Sequence, residues 1–148
     1  MTLLLRAVAG SRLYGTYRED SDWDWYEVYD HIRAKQTIRA GQDVTRMPLS
    51  QWILLAEKGT HQALDAMWAP PEYTEVDLLQ DFRLHFRPDP WRAADQLGRT
   101  ARAFTNVDRS LKHIDRLLWC EHRVRQFGYY DPTEWGRRVQ NDRNATNS

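Results

Sequence analysis

Gly10-Ser11-Arg12-Leu13-Tyr14-Gly15-Thr16-Tyr17-Arg18-Glu19-Asp20-Ser21-Asp22-Trp23-Asp24 is the stretch on which the reading of this 148-residue chain turns. The apolar run before it, Leu3 to Ala9, stops at Gly10-Ser11, and its length and flanking glycine predict a buried strand rather than a helix. From Asp22 to Tyr29, aromatic and β-branched residues recur at near-alternating positions (Trp23, Trp25, Tyr26, Val28) and predict a second strand. Between the two, Arg12 to Ser21 contains Gly15 and polar residues, the pattern of a short helical turn and a loop. Residues two apart in a strand share a face, so the carboxylates of Asp22 and Asp24 stand side by side and repel each other without a cation. A hard divalent ion such as Mg²⁺ takes oxygen ligands and commonly sits between carboxylates and substrate phosphates. A Gly-Ser turn after a buried strand offers backbone N–H groups and a hydroxyl to a phosphate, and the intervening loop can return the chain so that both features meet at one end of a sheet.

Further along, a weaker strand candidate spans Lys35 to Met47, broken by the turn Ala40-Gly41-Gln42. Pro48 then opens a helix in which Leu49, Trp52, Ile53, Leu55 and Ala56 follow helical spacing and Gly59 supplies the stop. A second short helix carries Ala63, Leu64, Met67 and Trp68 before the Pro70-Pro71 break. Val107, Leu111, Ile114, Leu118, Val124 and Phe127 keep near-helical spacing, and Gly128 and Pro132 close that helix. The expected architecture is a single α+β domain over residues 1–135: a small mixed sheet and the metal site within 1–70, and a helical C-terminal half over 74–130. Residues 136–148 are polar and read as a fraying tail.

Composition limits the class of protein. A hydrophobic fraction of 41% with 12% aromatic residues excludes a disordered chain. A mean hydropathy of −0.78, 28% charged residues and no apolar run near the ~20 residues of a membrane span exclude an integral membrane protein. The opening segment is broken at Arg6 and lacks a basic start, so no signal peptide is expected; the lone Cys120 cannot form an internal disulfide, and the chain reads as cytoplasmic. Lys+Arg and Asp+Glu balance at 21 each, yet residues 1–82 hold 8 basic and 13 acidic side chains, and residues 83–148 hold 13 basic and 8 acidic. Opposed halves suit a site where acids hold cations and bases hold phosphates. His31, His61, His85, His113 and His122 show no metal-ligand spacing, and Trp23 and Trp25 are expected to pack under the sheet, opposite the acidic face.

The order buried strand, Gly-Ser, short helix, Ser-Asp-x-Asp resembles the nucleotidyltransferases of the DNA polymerase β superfamily. More narrowly, residues 10–29 are similar to nucleotidyltransferases of bacteria and phages described as polymerase β-like proteins of RNA repair. Asp43 to Pro70 resembles that family's acidic strand leading into a helix, with Gly59-Thr60-His61 and Asp65 where the family usually has Gly-Asn-Pro and Glu. Leu111 to Leu118 resembles its late helix bearing Lys, His and Arg. The resemblance implies Mg²⁺-dependent (or Mn²⁺-dependent) transfer of a nucleoside monophosphate from an NTP to an acceptor hydroxyl, with RNA or tRNA as the acceptor suggested by the family. It implies that Asp22, Asp24 and Asp43 are catalytic metal ligands, Asp43 doubling as base. By the same resemblance Gly10 and Ser11 contact the nucleotide phosphates; Arg12, directly after the turn, is a candidate for a phosphate contact or a salt bridge, and Lys112 and Arg116, one turn apart on one helix face, are candidates to neutralise the triphosphate. The alternatives are a non-catalytic nucleic-acid-binding module and one half of a toxin–antitoxin-type pair.

Overall fold

The computed structural model describes residues 1–104 and 111–146. Strand β1 (Leu3–Ala9) runs into the one-and-a-half-turn helix α1 (Gly10–Tyr14), and the chain returns as β2 (Trp23–Tyr29) antiparallel to β1. The single strand candidate of Lys35 to Met47 is two strands, β3 (Lys35–Arg39) and β4 (Gln42–Pro48), which form a hairpin around Gly41, whose φ of 79° is the left-handed region that glycine enters without penalty. β4 lies parallel to β2, and a short strand β5 (Thr74–Asp77) adds to the other edge of β1, giving a mixed five-stranded sheet in the order β3-β4-β2-β1-β5. β5 falls within the segment read as helical; four residues with a single apolar side chain, Val76, carry too little periodicity to announce a strand.

Strand alternation sends Leu5 and Ala7 of β1, with Tyr26 and Val28 of β2, to one face, and the helices cover that face alone. Helix α2 (Leu49–Lys58) starts after Pro48 and stops at Gly59, as its punctuation predicts, and its Trp52 is fully buried with the indole N–H donating to the Ala63 carbonyl of α3 (His61–Met67) at 3.2 Å. After a 3₁₀ turn (Pro71–Tyr73) and β5, α4 (Gln80–His85) leads to α5 (Pro90–Phe104) and α6 (Leu111–Phe127). Ala93, Ala94, Leu97 and Ala101 of α5 pack with Ile114, Leu117, Cys120 and Val124 of α6. The small side chains on α5 permit the close approach. Val107, counted in the helical spacing above, lies outside the described residues.

Two expectations change here. The polar segment read as a fraying tail continues a helix, α7 (Glu134–Thr146), anchored by buried Trp135 and by Gly136. A Cβ on Gly136 would stand 1.9 Å from the Tyr14 carbonyl oxygen, so a glycine is what lets α7 lie against the end of α1. One aromatic ring and one glycine hold a helix whose other residues, Val139 and Ala145 apart, are polar. Trp23 and Trp25 do lie opposite the acidic face, but among the described residues no helix covers that side: Trp23 is 41% exposed, and the two rings stack on each other at 6.0 Å. Arg6, Glu27 and Arg46 complete this open face with ion pairs of 3.5 and 3.1 Å to Glu27. Among the described residues no helix is long and apolar enough to cross a membrane.

Candidate functional site

β1 ends where the site begins. Ala9 pairs with Asp24 across β1 and β2, and Gly10 turns the chain at φ 64° directly over the Asp24 carboxylate. A Cβ on Gly10 would lie 2.0 Å from Asp24 Oδ2, so only glycine lets the turn and the acid share this space. In the parallel pair, Asp24 stands in register with Asp43 of β4, on the helix-covered face defined by Tyr26 and Val28. Asp22 lies in the segment just before β2 and is exposed. The Asp24 carboxyl holds its proton above the ordinary carboxylate range because it is partly buried and because Asp43 and Asp22 add negative potential. Asp43 accepts two hydrogen bonds from Gln36 Nε2, at 3.0 and 3.2 Å. Among the described residues, no three His, Cys, Asp or Glu side chains converge tightly enough to form a ready-made metal cluster.

Ser11, one residue past the turn, lines a cavity of about 450 Å³ between α1 and α6, together with Thr16, Arg18, Lys112, His113 and Arg116. The turn and the late helix therefore meet at this cavity, which is not lined by Asp22, Asp24 or Asp43. Their cations are placed differently, however. Lys112 is exposed at the cavity, whereas Arg116 is 1% exposed and belongs to the packed side of α6. The buried stripe of α6 runs through Ile114, Leu117, Cys120 and Val124, while Leu111 and Leu118 face solvent. This rotation has a charge as its cause. Asp65 of α3, 2% exposed, accepts from Arg116 Nη2 at 2.9 Å, from the Tyr130 hydroxyl at 2.6 Å and from the Tyr14 hydroxyl. The guanidinium carbon of Arg116 lies 3.4 Å from the Tyr14 ring centroid. Burial pushes the Tyr14 and Tyr130 phenols up, as does the negative charge of Asp65, so both remain neutral donors. Burial works against the Arg116 charge, but Asp65 outweighs it and holds the guanidinium protonated. Arg116 Nε and Nη1 have no hydrogen-bond partner, and the residue lines the cavity that Ser11 shares. A buried guanidinium with two unused donors is the group that an oxyanion in that cavity would satisfy.

Arg12 leaves the cavity's inner wall. Its guanidinium lies between the rings of Tyr17 and Trp23, 4.6 and 4.5 Å from their centroids, and Nη2 donates to the carbonyls of Ser21 at 2.8 Å and Glu19 at 3.3 Å. Its visible work is to fasten the loop that carries Asp22. Sequence reading did not single out Asp65, Tyr14 or Tyr130. Asp65 was noted only as standing where the resembled family has Glu, and nothing local announces a carboxylate whose partners are 51 and 65 residues away.

No family model, no curated protein and no solved structure matches this chain.

Proposed function

We propose that the chain is a nucleotidyltransferase that moves a nucleoside monophosphate from an NTP to an acceptor hydroxyl. The observation that carries the reading is the register of Asp24 with Asp43 beside the Gly10-Ser11 turn, next to a cavity lined by Ser11, Lys112 and Arg116. The donor set fits a hard divalent cation: three carboxylates, one of them with its proton affinity raised by burial and by the other two, are relieved by a charge of +2. Asp22, Asp24 and Asp43 would hold Mg²⁺ or Mn²⁺, and the bound ion supplies positive charge to the attacking and leaving oxygens of an in-line displacement. The protein's own part is positioning. The Ser11 hydroxyl and adjacent backbone orient the phosphates, Lys112 neutralises them at the mouth, and Arg116 donates Nε–H and Nη1–H from a frame that Asp65 and Tyr14 hold rigid. The acceptor hydroxyl attacks the α-phosphorus, the bond to the bridging oxygen breaks, pyrophosphate departs, and the proton passes to Asp43. A cytoplasmic setting supplies both NTP and Mg²⁺.

The test is incubation with each labelled NTP, Mg²⁺ or Mn²⁺ and mixed RNA. Label transfer that is lost in Asp24→Asn is the expected result; no transfer with any NTP and no melting shift on adding Mg²⁺ and NTP defeats the reading. The two hydrogen bonds from Gln36 to Asp43 favour one second reading, a nucleic-acid-binding module on the same fold that has given up catalysis. That module binds RNA with a salt-dependent affinity and turns nothing over.

A further inference from the structure

A second cavity, of about 290 Å³, lies where the end of α3, helix α4 and the turn between α6 and α7 meet, and it shares no lining residue with the cavity of Ser11 and Arg116. Its lining includes Met67, Trp68, Pro70, Leu84, Tyr129 and Tyr130. The surrounding chain is fastened. Arg83, 7% exposed, donates through Nη1 to the carbonyls of Ala66, Met67 and Ala69 at 3.3, 3.0 and 2.9 Å, which ties the end of α3 to α4. Tyr130 is buried, with its hydroxyl held by Asp65 and its ring meeting Trp68 edge-on at 5.0 Å between centroids. Pro70 and Pro71 fix two further φ angles. Leu84 and Tyr129, by contrast, are 62% and 50% exposed, so apolar surface stands in water at the rim of a preformed pocket. Walls that are already ordered lose little freedom when a ligand enters.

Three charged residues line this cavity, and two of them are neutralised by neighbours. Asp77 pairs with Arg83 at 2.6 Å, and Arg137 pairs with Asp131 at 3.0 Å. Arg87 pairs with no carboxylate among the described residues: its Nη1 donates to the carbonyls of Leu84 and Phe86, and its guanidinium carbon lies 5.8 Å from the Tyr129 ring centroid. We propose that the cavity binds a small aromatic monocarboxylate, its ring among Trp68, Tyr129 and Tyr130 and its carboxylate on Arg87. Aromatic walls favour a ring, and one uncompensated cation favours one negative charge. A phosphate ester would bring a second charge that nothing here meets. The volume sits at the lower edge of ligand pockets and takes about a dozen heavy atoms, too few for a length of extended peptide. This site goes beyond the transferase reading and does not depend on it.

The experiment is a ¹H–¹⁵N titration of the full chain with trans-cinnamate, with its neutral isostere cinnamamide and with acetate. The readout is the Trp68 indole N–H, assigned by its absence from Trp68→Phe. Wild type is expected to bind cinnamate with a Kd of about 0.1–1 mM, ordinary for about eleven heavy atoms. Cinnamamide should bind about fivefold more weakly, and acetate not measurably. Arg87→Gln should lower cinnamate to the affinity of cinnamamide and leave cinnamamide unchanged. Tyr129→Ala, at an exposed position, should weaken both about threefold with their ratio preserved, and it decides the matter if Arg87→Gln melts early. Equal affinity of wild type for cinnamate and cinnamamide, no movement of the Trp68 indole up to about 10 mM cinnamate, or unchanged cinnamate binding in both variants overturns the proposal. A decaproline peptide that moves the Trp68 indole where cinnamate does not makes the pocket a peptide groove and overturns it as well.

Discussion

Asp24 carries the most consequential single carboxylate in the molecule. Its proton is held above the ordinary carboxylate range by burial and by Asp43 and Asp22, so the folded protein binds that proton more tightly than the unfolded chain. Stability from this group is therefore present at low pH and is lost as pH rises from the unfolded carboxylate value through the raised one. Without metal, Asp24→Asn should melt at the same temperature as wild type or higher at neutral pH, with the advantage shrinking as the medium is acidified. With Mg²⁺ and NTP the order reverses: the ligand-induced melting shift disappears in the variant, and transfer falls at least ~10²-fold, each factor of ten being about 1.36 kcal/mol. Parallel melting curves across pH, with and without ligand, check both halves. A variant that melts lower yet keeps the full ligand shift marks Asp24 as structural. Glycines offer a second contrast, because Gly41 and Gly59 both have φ near +80° but different surroundings. A Cβ on Gly41 meets nothing within 4 Å, whereas one on Gly59 meets the backbone of Ala93 at 2.6 Å. Gly41→Ala should cost about 1–2 kcal/mol, the penalty of the left-handed conformation alone, and Gly59→Ala clearly more, as read from urea denaturation.

Helix α6 owes its orientation to one buried ion pair. Leucine spacing alone would have turned Leu111 and Leu118 inward and Arg116 out; Asp65 on α3 wins because a buried carboxylate with three donors is satisfied only if α6 presents its arginine. Removing one partner leaves the other charged and buried, so Asp65→Ala should destabilise by about 3–5 kcal/mol. Arg116→Met should cost less, since Asp65 keeps both tyrosine donors. The double variant Asp65→Leu with Arg116→Met should recover much of the single loss, and the coupling energy from denaturant unfolding measures the pair. Additive costs would show that the two residues do not depend on each other. Catalytically, Arg116→Met is expected to raise the KM for NTP more than it lowers kcat, as loss of a phosphate-holding group should.

Across the whole molecule, α7 closes the cleft that α1 and α6 begin. Trp135 is its buried anchor, at 6% exposure, and it also lines the cavity of Ser11 and Arg116. Trp135→Ala should cost about 3–4 kcal/mol of stability. Ending the chain after Thr133 should open the cleft and lower the melting temperature while the sheet's circular-dichroism signal persists. A truncated chain that melts with the full one would show that the docking of α7 adds no stability. The exposed face of the sheet makes no such demand, because its Arg6–Glu27–Arg46 network already satisfies the one buried acid there.

Local physics was legible without coordinates. An apolar run ending in Gly-Ser, an acid at every second position, Pro48 before a helix and Gly59 after it each act within a few residues, so they predicted β1, α1, β2 and α2 and placed Asp24 at the head of β2, with Asp22 just before the strand rather than in it. The turn at Gly41 was legible for the same reason, but that it joins two paired strands and brings Asp43 into register with Asp24 is a matter of strand pairing. What only the tertiary structure decided depends on partners far apart in the chain: Asp65 turning Arg116 inward from 51 residues away, Gly136 and Trp135 docking a helix that composition reads as a tail, and a sheet covered on one side alone. Periodicity reports how many apolar faces an element has; which charged side chain is drawn into such a face, and which polar helix is held down by one ring, is settled by the group that waits on the other side.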